Sequence, residues 1–274
     1  METVVMTREM LNNLRQSTAL SYNPIERQKQ RLACLNSSPG TLKDYDCPKC
    51  NNRGQFYQLD ERDCIYSIPC NCMTIRKNLE HLKQSGLEKV IRKMTFDKYQ
   101  AIEPWQRKLK LAAMEYAKNP KGWFAIFGQS GCGKTHLCTA ICRELLYQGK
   151  EIRYLSWRDE ISLLKGLYDD QVQQLKKLED FLNVPVLYID DLFKTGSVDG
   201  SRPKPTAADV QVAFQILNHR AMNDLCTILS SEMLPNEILA MDEATGGRIL
   251  ENAKPNIYTV TPNRKRNYRL QYNG

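Results

Sequence analysis

A five-residue apolar run, Trp123-Phe-Ala-Ile-Phe127, opens directly onto Gly128-Gln129-Ser130-Gly131-Cys132-Gly133-Lys134-Thr135, and a helix-forming segment follows. Few architectures accommodate that succession. Gly128, Gly131 and Gly133 let the backbone curl until successive N–H groups point into one concavity, and a helix starting there adds the positive end of its dipole. Such a concavity suits a phosphate. Lys134 would reach the β- and γ-phosphates of a nucleotide and the Thr135 hydroxyl would hold Mg²⁺. The stretch from Gly128 through His136 is therefore the candidate nucleotide-binding set, with ATP and Mg²⁺ as the expected ligands.

Downstream, Gly149 is a helix stop, Glu151–Ser156 a second strand, and 157–183 a helix with Ile161, Leu164, Leu167, Tyr168, Val172, Leu175, Leu178 and Leu182 on one apolar stripe. Then Val184-Pro-Val-Leu-Tyr-Ile-Asp190-Asp191 reads as a buried strand ending in two acids. It lies 56 residues beyond Lys134, room for a helix, strand and helix crossover. Two carboxylates closing an apolar strand are costly in a core with nothing to bind. Asp190 is expected to hold Mg²⁺, often through water, and Asp191 to orient or deprotonate an attacking water. A later strand, Leu225–Ser231, turns polar at its tip. Inserted between the P-loop strand and the acidic strand, it would set Ser231 or Glu232 against a γ-phosphate. Arg248, read as opening a helix after Gly246-Gly247, is suited to reach the nucleotide of a neighbouring subunit. The helix from Trp157 to Tyr168 offers Arg158, Lys165 and Tyr168 to single-stranded DNA, although its apolar stripe also reads as core.

Ahead of all this stand Cys47-Pro-Lys-Cys50 and Cys70-Asn-Cys72. Two close thiol pairs make a tetrahedral sulfur site of the kind structural Zn²⁺ accepts, so Cys47, Cys50, Cys70 and Cys72 are the candidate zinc ligands, with Cys64 or His81 as substitutes for one of the second pair. Residues 1–42 carry apolar positions spaced for two short amphipathic helices, broken near Asn23-Pro24 and Ser37–Gly40. Residues 73–98 read as helical and basic, a solvated face or a nucleic-acid contact. The reading divides the chain into an N-terminal helical and zinc-knuckle adaptor domain with a basic linker, 1–94, and a nucleotide-binding domain, 95–274.

The formal net charge of +8 attracts a polyanionic partner. The ten cysteines fit reduced thiols better than bridges, because Cys132, Cys138, Cys142 and Cys226 fall at loop, helix and buried-strand positions. No apolar run of about 18 residues occurs and the N-terminus lacks a secretory pattern, so a soluble cytoplasmic protein is expected.

From Thr95 to Leu270 the sequence resembles the AAA+ ATPase domain of bacterial and phage replicative helicase loaders of the DnaC/DnaI type. The resemblance rests on Thr95-Phe-Asp-Lys-Tyr99, Gly133-Lys-Thr-His-Leu137, Tyr188-Ile-Asp-Asp-Leu192, Asn218-His-Arg220, Ser230-Ser-Glu232, Asp242-Glu-Ala244 with Gly247-Arg-Ile249, and Asn267-Tyr-Arg-Leu270. The cysteine knuckle looks like the zinc-binding, helicase-contacting domain of the same loaders. The resemblance implies an α/β P-loop domain with a parallel sheet flanked by helices behind a small zinc-binding domain. It implies ATP hydrolysis with Arg248 as a trans arginine finger, self-association through the ATP site, and the replicative helicase and single-stranded DNA as partners. Two departures stand out. The acidic strand ends in Asp191 where many AAA+ proteins carry Glu, which suits slow turnover. Only 14 residues follow Val260, too few for a helical lid, so a second-sensor role would fall to Arg264, Arg266 or Arg269. A transposition helper ATPase and a non-catalytic nucleotide-binding adaptor are the competing readings.

Overall fold

The structure, a computed structural model, describes residues 24–84, 87–166, 171–196 and 203–271. The helix expected around Met6–Leu14, together with Leu167 and Tyr168, lies outside the described residues. The chain packs as two units, Met1–Met73 and Thr74–Gly274, whereas the sequence reading places the division at 94/95.

In the first unit, helix α1 (Pro24–Ser37) is tied to a hairpin of β1 (Gln55–Leu59) and β2 (Ile65–Pro69). Asn36 makes the tie in both directions: its amide donates to the Tyr57 carbonyl at 2.9 Å and its oxygen accepts from the Tyr57 N–H at 3.0 Å. The hairpin turn is held by Asp60, whose carboxylate accepts from the N–H groups of Arg62 and Cys64 at 2.9 and 2.7 Å.

The basic stretch becomes two helices, α2 (Cys72–Gln84) and α3 (Leu87–Lys93). Ile75, Leu79, Leu82, Leu87 and Ile91 are buried, a helical apolar spacing with the charges left over for the outside. Helix α4 (Pro104–Lys118) begins on a proline, and Gln106 accepts from the Glu103 N–H at 2.8 Å, closing the first turn.

The larger unit is built on five parallel strands: β3 (Phe124–Gly128), β4 (Ile152–Ser156), β5 (Val186–Asp190), β6 (Cys226–Ser231) and β7 (Ile257–Val260). They lie in the order β4-β5-β6-β3-β7, so β6 is inserted between the P-loop strand and the acidic strand as the sequence predicts. Every residue of β3 and β5 is buried, the signature of central strands covered on both faces. The crossovers are α5 (Lys134–Tyr147), then α6 (Trp157–Gly166) and α7 (Gln171–Leu182), then α8 (Ala207–Met222), then α9 (Pro235–Met241) and α10 (Glu243–Asn252). Helix α8 starts where Thr206 caps it: its hydroxyl accepts from Asp209 N–H at 3.3 Å and the Asp209 carboxylate accepts from Thr206 N–H at 2.6 Å.

Arg220, part of the Asn218-His-Arg220 pattern, is a core residue. It is fully buried and donates to the carbonyls of Phe181, Val184 and Cys226 at 2.9, 2.9 and 2.6 Å and to the Thr227 hydroxyl at 2.9 Å. Burial lowers its pKa to about 10, still charged at neutral pH, and the carbonyl dipoles replace the water it has lost.

Candidate nucleotide site and thiol cluster

The P-loop leaves β3 through Gly128, Gly131 and Gly133, all with positive φ. At Gly133 the requirement is double: φ is 96°, and a Cβ there would stand 2.8 Å from the Tyr99 ring. Lys134 is buried and folded along the loop, donating to the Gly128 and Gln129 carbonyls at 2.8 and 3.0 Å. A cavity of about 440 Å³ opens here, lined by Ser130 to His136, by Asp191, Lys194 and Glu232, and by Tyr99 and Arg266 among others.

Asp190 sits beneath Thr135 at the end of β5. Its Oδ1 accepts from Thr135 Oγ1 at 3.1 Å, Tyr188 at 2.7 Å and Ser230 at 2.6 Å, and its Oδ2 from Tyr154 at 3.2 Å. Burial first, then the adjacent Asp190 carboxylate, raises the pKa of both tyrosines, so they remain donors. The adjacent oxygens of Asp190 and Thr135 are the hard donor set that Mg²⁺ prefers. Asp191 follows in left-handed conformation, φ 56°, its N–H held by Ser230 Oγ at 3.0 Å. That kink turns its carboxylate into the cavity while Asp190 stays below.

The two sensor candidates separate. Ser231 is fully buried and its hydroxyl donates to the Leu192 carbonyl at 2.7 Å, so it braces the strand end and does not line the cavity, whereas Glu232 does. Ser230, Tyr154, Tyr188 and Lys194 join the site without having been candidates from sequence. Ser230 was within reach: Ile189 pairs with Leu229, so the next residues, Asp190 and Ser230, stand side by side and point to one face of the sheet. Lys194 lies three residues beyond Asp191. Its Nζ reaches Asp191 Oδ2 at 2.6 Å and Glu232 Oε1 at 3.0 Å.

Two expectations need correction. Arg248 does not open a helix: α10 begins at Glu243, capped by the Asp242 carboxylate on Thr245 N–H at 2.7 Å, and Gly246-Gly247 lie inside it. Gly246 is small because a Cβ would meet the Leu239 backbone at 2.9 Å, where α9 and α10 approach. Arg248 projects from mid-helix, bonded to Asn218 at 3.1 Å and Glu251 at 3.5 Å, with 42% of its side chain exposed and away from its own chain's cavity. Lys165 is not a free cation. It is paired with Asp209 at 2.5 Å and Thr206 at 3.1 Å, whereas Arg158 of the same set is exposed.

After β7 the chain returns to the P-loop. Gln129 and the Asn263 backbone exchange two hydrogen bonds at 2.6 and 2.8 Å, Tyr268 N–H donates to the Gly131 carbonyl at 2.9 Å, and Arg269 reaches Ser130 at 3.3 Å. Arg266 and Arg269 line the cavity, while Arg264 lines a neighbouring hollow. His136, with its pKa lowered chiefly by burial, donates from Nε2 to the Thr95 carbonyl at 2.8 Å.

In the first unit Cys47, Cys50, Cys70 and Cys72 are buried, and their sulfurs all lie within 4.8 Å of one another. Cys47 and Cys70 are 3.8 Å apart, Cys50 and Cys72 3.5 Å. Four thiolates about 2.3 Å from one ion would stand about 3.8 Å apart, so the set fits a tetrahedral metal. Left-handed turns at Asn51 and Asn52 bring the pairs together, with Asn52 Oδ1 accepting from Cys47 N–H at 2.8 Å. The Cys50 thiol is at about 7: burial opposes this, but the Gly54 N–H and the neighbouring thiols outweigh it. Cys64 is exposed and outside the cluster, and the half-buried His81 is outside it too. All ten cysteines are unbridged. Among the described residues no helix is long and apolar enough to cross a membrane.

Comparison with known proteins agrees with this geometry. The sequence profile of IstB-like ATP binding proteins matches residues 72–237. The chain is 31% identical to the uncharacterized protein YqaM of Bacillus subtilis across 89% of its own length and 92% of that protein's. It is 30% identical to the phage-like element PBSX protein XkdC of Bacillus subtilis across 83% and 86%. The replicative helicase loader DnaC of Escherichia coli K12 is 30% identical across 40% of this chain and 46% of DnaC. Among solved structures, the DnaC helicase loader superposes with a TM-score of 0.50 at 21% identity, covering 64% of this chain and 99% of that one. DnaI gives 0.50 at 23%, covering 64% and 93%. These two likenesses show a shared fold.

Proposed function

The chain belongs to the family of IstB-like ATP-binding proteins, and on that premise we propose that it is an ATP-hydrolysing loader that binds a replicative DNA helicase and delivers it to single-stranded DNA. The observation that carries the proposal is the pairing of a P-loop nucleotide site, with β6 inserted beside the P-loop strand, and a four-thiol cluster ahead of it in sequence. In this reading Lys134 and the loop N–H groups hold the phosphates. Thr135 and Asp190 hold Mg²⁺, which supplies charge neutralisation at the phosphates. Asp191 orients the attacking water, and its arm, shorter than a Glu, suits slow turnover. Glu232 takes the sensing role with Ser231 bracing it. Arg248, exposed and away from its own cavity, serves a neighbouring subunit. Zn²⁺ on the four thiols would fix the shape of the first unit for helicase contact, because four protein ligands leave no open position for chemistry.

ATP would act as a switch, joining subunits and favouring DNA contact when bound and releasing them on hydrolysis. The test uses the purified full chain and the replicative helicase of its host. Co-elution of the two with ATP, and helicase transferred to a protein-coated single strand only when the chain and ATP are both present, is expected. Co-elution with a transposase in place of the helicase would install the transposition-helper reading. Nucleotide binding without hydrolysis would install the adaptor.

A further inference from the structure

Lys194 is a cation in the wall of the nucleotide cavity that the P-loop and acidic-strand motifs do not include. It is set by local backbone: Asp191 adopts φ 56° and Phe193 φ 63°, and Lys194 N–H closes the turn onto the Asp191 carbonyl at 2.9 Å. This tight double kink swings the lysine back over the residue that precedes it by three. Its ammonium then stands between two carboxylates from different strands' ends, Asp191 after β5 at 2.6 Å and Glu232 after β6 at 3.0 Å. All three line the same cavity as Lys134 and Thr135. The lysine is 27% exposed and Glu232 11%, so the group is neither a solvated surface pair nor a sealed core pair.

Two acids at the phosphate end of a nucleotide cavity present an electrostatic problem. A triphosphate brings several negative charges to carboxylates that would repel it, and the repulsion is stronger for the γ-phosphate of ATP than for ADP. Resting on the ATPase reading above, we propose that Lys194 is a positioning residue for the γ-phosphate end of this site: it offsets one of the two negative charges of Asp191 and Glu232 and fixes the Asp191 carboxylate by its Oδ2, leaving Oδ1 to face the attacking water. It acts through those two acids, and what it protects is the discrimination of a triphosphate from a diphosphate. Burial by itself would lower the lysine's pKa, but its hydrogen bonds to Asp191 and Glu232 raise it, so the cation persists across the neutral range.

The experiment measures affinity for ADP and for a non-hydrolysable ATP analogue, together with kcat and KM, in wild type, Lys194→Gln and Lys194→Arg. Lys194→Gln is expected to bind ADP as wild type does, which also reports that the pocket is folded. It should lose about tenfold in affinity for the ATP analogue, the size of one charge-assisted hydrogen bond, and at least as much in kcat. Lys194→Arg should recover most of both. An unchanged ratio of analogue to ADP affinity in Lys194→Gln overturns the inference alone, as does a rise in kcat, which would make the lysine a brake. Failure of wild type to bind either nucleotide overturns the ATPase reading itself.

Discussion

The thiol cluster and the nucleotide site differ in what packs around them. Among the described residues of the first unit the buried cluster consists of the four cysteines themselves, with Tyr45 and Phe56 packed partly buried against it. The nucleotide site instead stands on strands whose every residue is buried, backed by Trp123, Phe124, Phe127, Trp157 and Tyr188, each fully enclosed. At about 1.5–3 kcal/mol for each large apolar side chain taken out of water, that core needs no ligand to form. Among the described residues the thiol cluster has no comparable apolar reserve.

The largest effect expected from this contrast is on metal removal. Structural zinc in small domains contributes about 10–16 kcal/mol of apparent binding energy that is also folding energy. The purified chain should hold about one zinc, and stripping it, or changing Cys47 or Cys70 to Ser, should make residues 24–73 sensitive to protease while nucleotide affinity is unchanged. Elemental analysis that finds no metal in protein prepared without chelator would sink the zinc assignment. Cys64→Ser should leave the content unaltered, since that thiol is exposed and outside the cluster.

Next in size is hydrolysis. Arg248→Ala should bind ATP normally and lose on the order of 10³-fold in rate, the usual loss when a trans guanidinium is removed. Lys134→Ala should bind no ATP. Mixing the two should restore part of the activity, because one chain offers the finger and the other the pocket. No recovery, with a rate per chain independent of protein concentration, would assign Arg248 to the Asn218 and Glu251 contacts it makes within its own chain.

The same molecule shows which parts of such a site can be read before folding. β3 and β5 were legible because a strand covered on both faces must be an unbroken apolar run, and the P-loop because its glycines and Lys134 are adjacent in sequence. The Asp209 carboxylate that caps α8 also pairs with Lys165 from 44 residues away, a contact that no local pattern announces. Arg248 was misplaced because Gly246-Gly247 reads as a helix boundary, whereas the close approach of Leu239 demands a small residue inside the helix. Lys194 escaped notice because its role is conferred by two left-handed residues, Asp191 and Phe193, neither a glycine that would have announced the kink.

A smaller effect tests the sheet side of the contrast. Arg220→Met should cost about 3 kcal/mol of stability in the second unit, because the carbonyls of Phe181, Val184 and Cys226 lose their buried donor. Zinc content should stay at the wild-type level. A denaturation midpoint equal to wild type would mean that water or a rearranged backbone satisfies those carbonyls.

The smallest expected effect is a pH dependence in the second unit that rests on one histidine. His136 donates from Nε2 to the Thr95 carbonyl and packs edge-on against Tyr99 at 5.3 Å, and burial, with Lys110 nearby, holds its pKa below 6.5. The unfolded chain therefore takes up a proton at a higher pH than the folded chain does. The stability associated with the neutral ring is fully present above about 6.5, the ordinary histidine value, and is lost as pH falls through the folded value. His136→Gln keeps an N–H for the Thr95 carbonyl and removes the titration. Melting curves of zinc-loaded protein without nucleotide should agree for the two forms at pH 8, apart from a constant offset. Between pH 7 and 5 the wild type should fall relative to the variant by about 1–3 °C. Parallel melting temperatures across that range would mean that the folded protein accommodates the protonated ring as readily as water does.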